Sequence, residues 1–290
     1  MERRNAAFEP PAGLQIQGDT IPECSNCRLG DPYVRVRSII LAGGYGTRLG
    51  SLGKNRSKVL LPVGGRPVID YVLDRIQEVS AVRDVLIVTN DRFYEQFVGW
   101  SEQPAHSSLA MSVLNDRTTG PENRLGAVGD VIFGIDRAEI DDDLLVIAGD
   151  NLCDFSLPRM ADTLLQKGSC IAAYDIGRVE DASKFGVPVI ARDGRLVDFE
   201  EKPANPTSSL IAVAIYMFRR RDLGLFSEFQ RQGRDLDLIG GFIQWAQEQT
   251  PLFACIYESE NNWWDIGDPL IYRQADSYYS GPGGAKNRST

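Results

Sequence analysis

Three glycines, Gly43, Gly44 and Gly46, follow directly on an apolar run, and two cations, Arg48 and Lys58, stand just beyond them. Glycine lets backbone N–H groups approach phosphate oxygens with no Cβ in the way, and Arg or Lys beside such a loop supplies the charge that phosphoryl chemistry requires. A plain tight turn is the competing reading of the cluster. The spacing is not that of a P-loop, because no Gly-Lys-Ser/Thr follows, nor that of the dinucleotide fingerprint, because Leu49 takes the place of the third glycine. Farther along, Asp150 closes a second apolar run and Asp265 follows Trp263-Trp264. Mg²⁺ takes a few carboxylate oxygens and completes its shell with water and substrate phosphates, so two aspartates from distant loops suit it. A strand-end aspartate is also a common cap or turn former, and spacing alone leaves both readings open. On the same footing Glu201-Lys202-Pro203 is a solvated strand end. Gly126 and Gly129 open a helical stretch, whose N-terminus suits an anion.

The elements that must position these groups alternate. Residues 36–42 form a buried strand entering the glycine loop. Pro67 starts a helix whose apolar positions Val68, Ile69, Val72, Leu73, Ile76 and Val79 share one face. The pattern then predicts a strand over 84–89, a helix over 91–100, a strand over 109–114, a helix over 126–135 and a strand over 144–148. This alternation predicts an α/β, Rossmann-like fold: a mainly parallel twisted sheet with helices on both faces, and ligands at the carboxyl ends of its strands. The second half is richer in β-structure and predicts a smaller, β-rich C-terminal part. Residues 187–190 and 196–199 flank an Asp193-Gly194 turn, 210–218 is a long strand, 236–249 a helix, 253–257 a strand and 269–279 a final helix. No hexapeptide repeat announces a β-helix tail. Residues 1–35 carry paired prolines without periodicity and are expected to be a partly ordered extension of the domain at 36–279, with 280–290 a flexible tail.

Composition narrows the function. A hydrophobic fraction of 43% with 24% charged residues is ordinary for a globular chain of 290 residues. A formal net charge of −9 argues against a nucleic-acid partner, which needs a basic surface, but leaves room for a small phosphate ligand held by a local cation cluster. No apolar run is long enough to span a bilayer and residues 1–20 carry no apolar signal segment, so no membrane partner and a cytoplasmic enzyme are expected. Cys24-x-x-Cys27 is half of a zinc pattern with no second half nearby, and Cys170 and Cys255 read as buried small residues. His106 is the single histidine, which rules against a His-based triad or metal site, and it reads as a surface-loop residue.

The segment Leu41-Ala42-Gly43-Gly44-Tyr45-Gly46-Thr47-Arg48-Leu49, followed by Ser57-Lys58-Val59-Leu60-Leu61-Pro62-Val63, resembles the signature of the sugar-phosphate nucleotidyltransferases, a family that includes glucose-1-phosphate thymidylyltransferase and the uridylyl and adenylyl enzymes. Further blocks recur in the family's order: Leu125-Gly126-Ala127-Val128-Gly129-Asp130, Ala148-Gly149-Asp150-Asn151, Phe185-Gly186-Val187 to Glu201-Lys202-Pro203, and Trp264-Asp265-Ile266-Gly267. The likeness covers about residues 36–279.

The resemblance implies a nucleotide held by Leu41, Ala42, Gly43, Gly44, Gly46, Thr47, Arg48, Lys58 and Gly126, and Mg²⁺ on Asp150 and Asp265. It implies that Arg48, Lys58, Asp150, Lys202 and Asp265 carry the catalysis, that Glu201 bonds sugar hydroxyls and that Lys202 binds the sugar phosphate. Phe185-Gly186 is similar to an aromatic-Gly pair beside the sugar, and Asp130 falls in a block near nucleotide and sugar. Tyr216 is a candidate for the same pocket, with a core position as its alternative. The implied reaction joins an NTP, dTTP or UTP by preference, to a sugar 1-phosphate and releases pyrophosphate, in a homo-oligomer such as a dimer or tetramer. Cytidylyl or guanylyl transfer to another phosphorylated acceptor (a cyclitol phosphate, a heptose phosphate or phosphocholine) and a catalytically inactive ligand sensor are the alternatives. The chain departs from the common pattern at Asp130, where a small residue is usual, at Ser57, where proline is usual, and in the loop 115–123, which lacks a glutamine for the base.

Overall fold

A computed structural model of the protein describes residues 35–106, 109–258 and 262–281. The chain divides into residues 1–30 and 31–290. The first unit, with Cys24 and Cys27, lies outside the described residues, as do 282–290 of the expected tail.

The long apolar runs become strands because only a sheet covered on both faces can bury a continuous hydrophobic segment. Four of them are parallel neighbours: β1 (Val36–Leu41), β2 (Val82–Thr89), β3 (Ala110–Asn115) and β4 (Asp143–Ala148). β5 (Asn151–Cys153) leaves that set. Next come β6 (Cys170–Asp175), a hairpin of β7 (Gly186–Ile190) and β8 (Leu196–Glu201), β9 (Leu210–Phe218), β10 (Phe253–Tyr257) and β11 (Trp263–Asp265). Among the described residues the main sheet has seven strands in the order β10-β6-β9-β4-β1-β2-β3. β9 alone runs antiparallel to its neighbours, β4 on one side and β6 on the other. The hairpin β7–β8 and an antiparallel ribbon of β5 with β11 stand apart as two-stranded pieces.

Seven helices, counted over the described residues, cover the sheet: α1 (Val68–Gln77), α2 (Tyr94–Ser101), α3 (Ala127–Arg137), α4 (Pro158–Gln166), α5 (Gly224–Arg231), α6 (Ile239–Ala246) and α7 (Pro269–Ser280). Period-two alternation along the strands separates two cores. Ile40, Ile87, Leu145 and Ile147 face α1, α2 and α4, which contribute Ile69, Phe97 and Met160. Ile39, Leu86, Val88 and Val146 face α3, α5 and α6, which contribute Val131, Phe226 and Phe242. A third cluster ties α7, through Ala275 and Tyr279, to Val68, Tyr71, Leu152 and Ile266. The mainly parallel sheet with helices on both faces is therefore as expected.

Two expectations change. His106 is buried, at 7% exposure: a short helical turn, Pro104–His106, folds its ring against Trp100 with centroids 4.3 Å apart. Trp100 Nε1 in turn donates to Asp70 at 2.8 Å. Helix 236–249 also contracts to Ile239–Ala246. Cys153, Cys170 and Cys255 are free and buried, as read for the latter two.

α6 matters to the site because it carries Ile239 and Gly240 there, and it is anchored by rings. Phe242 stacks on Phe226 at 4.0 Å and meets Phe218, Phe229 and Trp245. Phe242→Ala is expected to destabilise the protein by about 3–5 kcal/mol, as for large-to-small changes in a packed core, measured by urea unfolding; a loss below about 1 kcal/mol would show that the cluster does not hold α6.

Candidate active site

β1 ends between β2 and β4, so the loop that leaves it is gripped from both sides. Ala42 N donates to Val88 O at 2.8 Å and Gly149 N to Leu41 O at 2.9 Å. From the tip of β2, Thr89 Oγ1 donates to Ala42 O at 3.2 Å and Asn90 Nδ2 to Gly43 O at 2.9 Å. Thr89 and Asn90 are fully buried. Sequence reading missed both, although two polar residues closing an apolar strand were the available signal. Gly46 then takes a left-handed turn into a helical turn, Thr47–Leu49, whose Leu49 is buried and so fixes Arg48 beside it.

Lys58 rests on a second short turn, Lys58–Leu60, held down by the buried Val59 and Leu60. Its ammonium pairs with Asp150. Burial works to lower the Lys58 pKa, but the charge and hydrogen bond of Asp150, with help from Asp265, outweigh burial and hold it above the ordinary lysine value.

Asp150 and Asp265 are 115 positions apart in sequence, and the ribbon joins them. Asp265 faces Asn151 across β5–β11, and Ile266 N donates to Asp150 O at 2.9 Å. Trp263 Nε1 donates to Asn151 Oδ1 at 2.6 Å and secures the register. Burial, then the charge of Asp150, pushes the Asp265 carboxyl up to about 6 against the pull of Lys58 and Arg48. Arg48 joins the group at Gly267, where a Cβ would lie 3.0 Å from its guanidinium and 3.3 Å from Asp265 Oδ1.

A cavity of about 310 Å³ opens beside these charges. Leu41, Ala42, Gly43, Gly44, Thr47, Lys58, Gly126, Asp130 and Asp150 line it, together with Asp116, Ala214 and Asp237, which sequence reading had not singled out. Gly126 must be glycine, because its φ is +83° and a Cβ would stand 2.4 Å from Leu236 O. The N–H groups of Ala127 and Val128 are already bonded to Asp237 O and Leu236 O, so the first turn of α3 offers an anion less than the sequence promised.

Asp130 and Asp116 share a hydrogen bond against Gly43, whose Cβ would meet Asp130 Oδ2 at 2.6 Å. Thr118 N donates to Asp116 at 2.7 Å, and Thr118 in turn bonds the Tyr45 hydroxyl at 3.0 Å. Asp130 Oδ1 is buried without a partner. Burial, then the charge and hydrogen bond of Asp116, raises the Asp130 carboxyl to about 8, so at neutral pH it holds its proton.

The remaining site residues, outside that lining, form a second group. Glu201 faces Gly186 across the hairpin, and Lys202, at φ +50°, donates its N–H to Phe185 O at 3.0 Å. The Lys202 side chain is 48% exposed, with its ammonium 3.9 Å from Glu201 Oε1. A Cβ on Gly240 of α6 would sit 1.7 Å from Glu201 Oε2, so that glycine makes room for the carboxylate. Burial raises the Glu201 pKa, and Lys202 opposes it. Phe185 meets Trp263 edge-on at 5.4 Å, which ties the hairpin to the ribbon. Tyr216 takes the core alternative: it is buried, stacked with Phe218, and absent from the cavity wall, with Glu201 close enough to help raise its pKa.

The chain matches the nucleotidyl transferase family over residues 37–280. It is 32% identical over 261 residues to a glucose-1-phosphate adenylyltransferase of Thermomicrobium roseum, covering 83% of this chain and 59% of that protein. It is 25% identical over 261 residues to a glucose-1-phosphate thymidylyltransferase of Neisseria meningitidis, covering 84% and 82% respectively. Its fold is similar to a Bacillus anthracis crystal structure provisionally named a glucose-1-phosphate thymidylyltransferase, with a TM-score of 0.72 at 22% identity over 84% of this chain and 95% of that one. The chain spans only 59–61% of the length of three of the curated relatives that it matches.

The Asp130 carboxyl has a stability signature. In the unfolded chain it loses its proton near pH 4, and in the folded protein it keeps it to about 8. Folding therefore takes up a proton in that window, and the group's contribution, full below pH 4, is lost as pH rises toward 8. Asp130→Asn, which keeps a donor for Asp116 without the proton, is expected to gain on the wild type between pH 5 and 8 by up to about 1.4 kcal/mol per pH unit. Urea titrations at several pH values check this, and a pH-independent difference would contradict it.

Proposed function

Since this chain belongs to the nucleotidyl transferase family, we propose that it condenses a nucleoside triphosphate, dTTP or UTP by preference, with a sugar 1-phosphate to give a nucleotide sugar and pyrophosphate. The observation that carries this reading is the convergence of Arg48, Lys58, Asp150 and Asp265 beside the cavity of the glycine loop. The catalytic unit is taken as residues 36–279, acting in the cytoplasm as a homo-oligomer. Among the described residues no helix is long and apolar enough to cross a membrane.

The charges suit attack on a phosphorus atom, where catalysis is positioning and neutralisation and no protein nucleophile is required. Lys202 holds the phosphate of the acceptor, and Glu201 orients the sugar through its hydroxyls. The backbone of the glycine loop receives the triphosphate. Lys58, kept charged by its carboxylate partners, neutralises the crowded phosphates, and Arg48 holds the pyrophosphate as it leaves. The attacking oxygen already belongs to an ionised phosphate, so no general base is needed.

Asp150 and Asp265 would hold Mg²⁺. The fit rests on the donor set: two carboxylates are gathered where burial and mutual repulsion push one of them up to about 6, a cost that a hard dication relieves. Mg²⁺ held by two carboxylates would draw its other ligands from water and substrate. When bound, it supplies positive charge to the phosphate oxygens of both substrates.

Guanylyl transfer is the second reading, favoured by the Asp116 carboxylate on the cavity wall. Guanine offers a carboxylate two adjacent N–H donors on its Watson–Crick edge, whereas uracil and thymine offer one.

Pyrophosphate release over a panel of NTPs and sugar 1-phosphates, with and without Mg²⁺, tests the reaction; no release from any pair would sink it. Lys202→Ala is expected to raise the KM for the sugar phosphate by roughly 10- to 100-fold, as loss of one charged hydrogen bond does, with little change in the KM for the NTP. A change confined to NTP affinity would overturn the assignment of Lys202. Lys58→Ala is expected to lower kcat by at least about 100-fold, the scale of losing one charge-stabilising group, read in the same assay at saturating substrates.

A further inference from the structure

Ala214 sits where the backbone favours glycine. Its φ is +50°, a left-handed conformation in which the Cβ of an L-residue crowds the backbone and which glycine adopts freely. The cause is a bulge in β9. Ala212 faces Ala173 of β6 and Tyr216 faces Ile171, so three residues, 213–215, stand opposite one. On the other side Ile215 keeps its register with Ile147 of β4, which pins the bulge in place. Ala214 lines the cavity, as do Gly126, Ala148, Asp237 and Ile239. Ile239 of the same wall is followed by Gly240, whose Cβ would sit 1.7 Å from Glu201 Oε2, so Glu201, which holds the acceptor in the reading above, stands next to that wall.

Glycine would make the same bulge at lower conformational cost. What alanine adds is a methyl group, and strain retained at a cavity wall points to function. We propose that the Ala214 methyl sets the size limit of the acceptor site, admitting sugar 1-phosphates that bear only hydroxyl groups on the side facing β9 and excluding those that bear an N-acyl group there. This rests on the nucleotidyl-transfer reading and deepens it. Glu201 and Lys202 would hold any sugar 1-phosphate, while Ala214 would choose among them by volume. A hydrophobic wall discriminates by a methyl-sized difference to the extent of about 10- to 200-fold, so one methyl is enough to set a preference.

The competing role for the methyl is core filling, because Ala214 also packs against the apolar cluster beneath α3, α5 and α6. Ala214→Gly separates the two. Wild type and variant are compared in pyrophosphate release with a hexose 1-phosphate and the matching N-acetylhexosamine 1-phosphate, using the NTP that the wild type turns over fastest, and their melting temperatures are recorded. The expected result is a wild type that prefers the hexose. In the glycine variant the N-acetyl to hexose ratio of kcat/KM should rise at least about tenfold, chiefly through KM, with a melting temperature equal to or above that of the wild type. A ratio that moves by less than twofold overturns the proposal, as does a wild type that prefers the N-acetylated acceptor. A variant that melts below the wild type also overturns it, because the methyl is then core. A wild type that turns over neither these acceptors nor any other sugar 1-phosphate refutes nucleotidyl transfer to sugars itself, and the role of Ala214 falls with it. Turnover by the wild type with an unchanged ratio refutes only the role of Ala214.

Discussion

Two carboxylates that share a place largely withdrawn from water repel each other, and the ammonium of Lys58 is what allows Asp150 and Asp265 to occupy theirs. Taking away one partner of such a group leaves a charge without compensation, so the three side chains stand or fall together. None of them is held by the others alone. Lys58 is planted by Val59 and Leu60, Arg48 by Leu49, and the two aspartates by the pairing of β5 with β11. Each charge is thus anchored by a buried apolar or backbone contact a residue or two away. The electrostatic cost of the cluster is carried by packing that would be favourable without it.

That division explains what the sequence made legible. Long apolar runs announce buried strands, so β1, β2, β4 and the glycine loop could be placed from composition and order, and the motif that resembles a nucleotidyltransferase signature proved a true sign of family. The ribbon could not be read, because three residues per strand carry no period. α4 was missed for a related reason: only Met160 and Leu164 of its nine residues are buried. Asp130 stood out as a departure from the usual small residue, but its partner Asp116 did not, since their hydrogen bond depends on β3 and α3 meeting over Gly43. His106 misled because a polar residue in a loop looks exposed until the neighbouring Trp100 is placed.

The carboxyl pair and the glycine loop also reconcile an acidic protein with the phosphate-binding role proposed for it. With a formal net charge of −9 the chain as a whole repels anions, and an ionised Asp130 would add to this directly against the loop. Burial and Asp116 instead keep it protonated near neutrality. The cations are placed locally: Lys58 and Arg48 stand with the aspartates beside the glycine loop, Arg124 lines the cavity paired with Asp237, and Lys202 stands on the hairpin.

The ribbon has a consequence for how the protein comes into being. Its two strands close a loop of about 110 residues, and such distant pairing is formed late because the entropy of closure must be met before the contacts reward it. During synthesis the glycine loop, Lys58 and Asp150 all leave the ribosome well before Asp265. A nascent chain can therefore fold much of its sheet, and the cavity beside the glycine loop, with one carboxylate missing. The last short strand completes the charge set, so Asp265 joins Lys58 and Asp150 after the scaffold around them has formed.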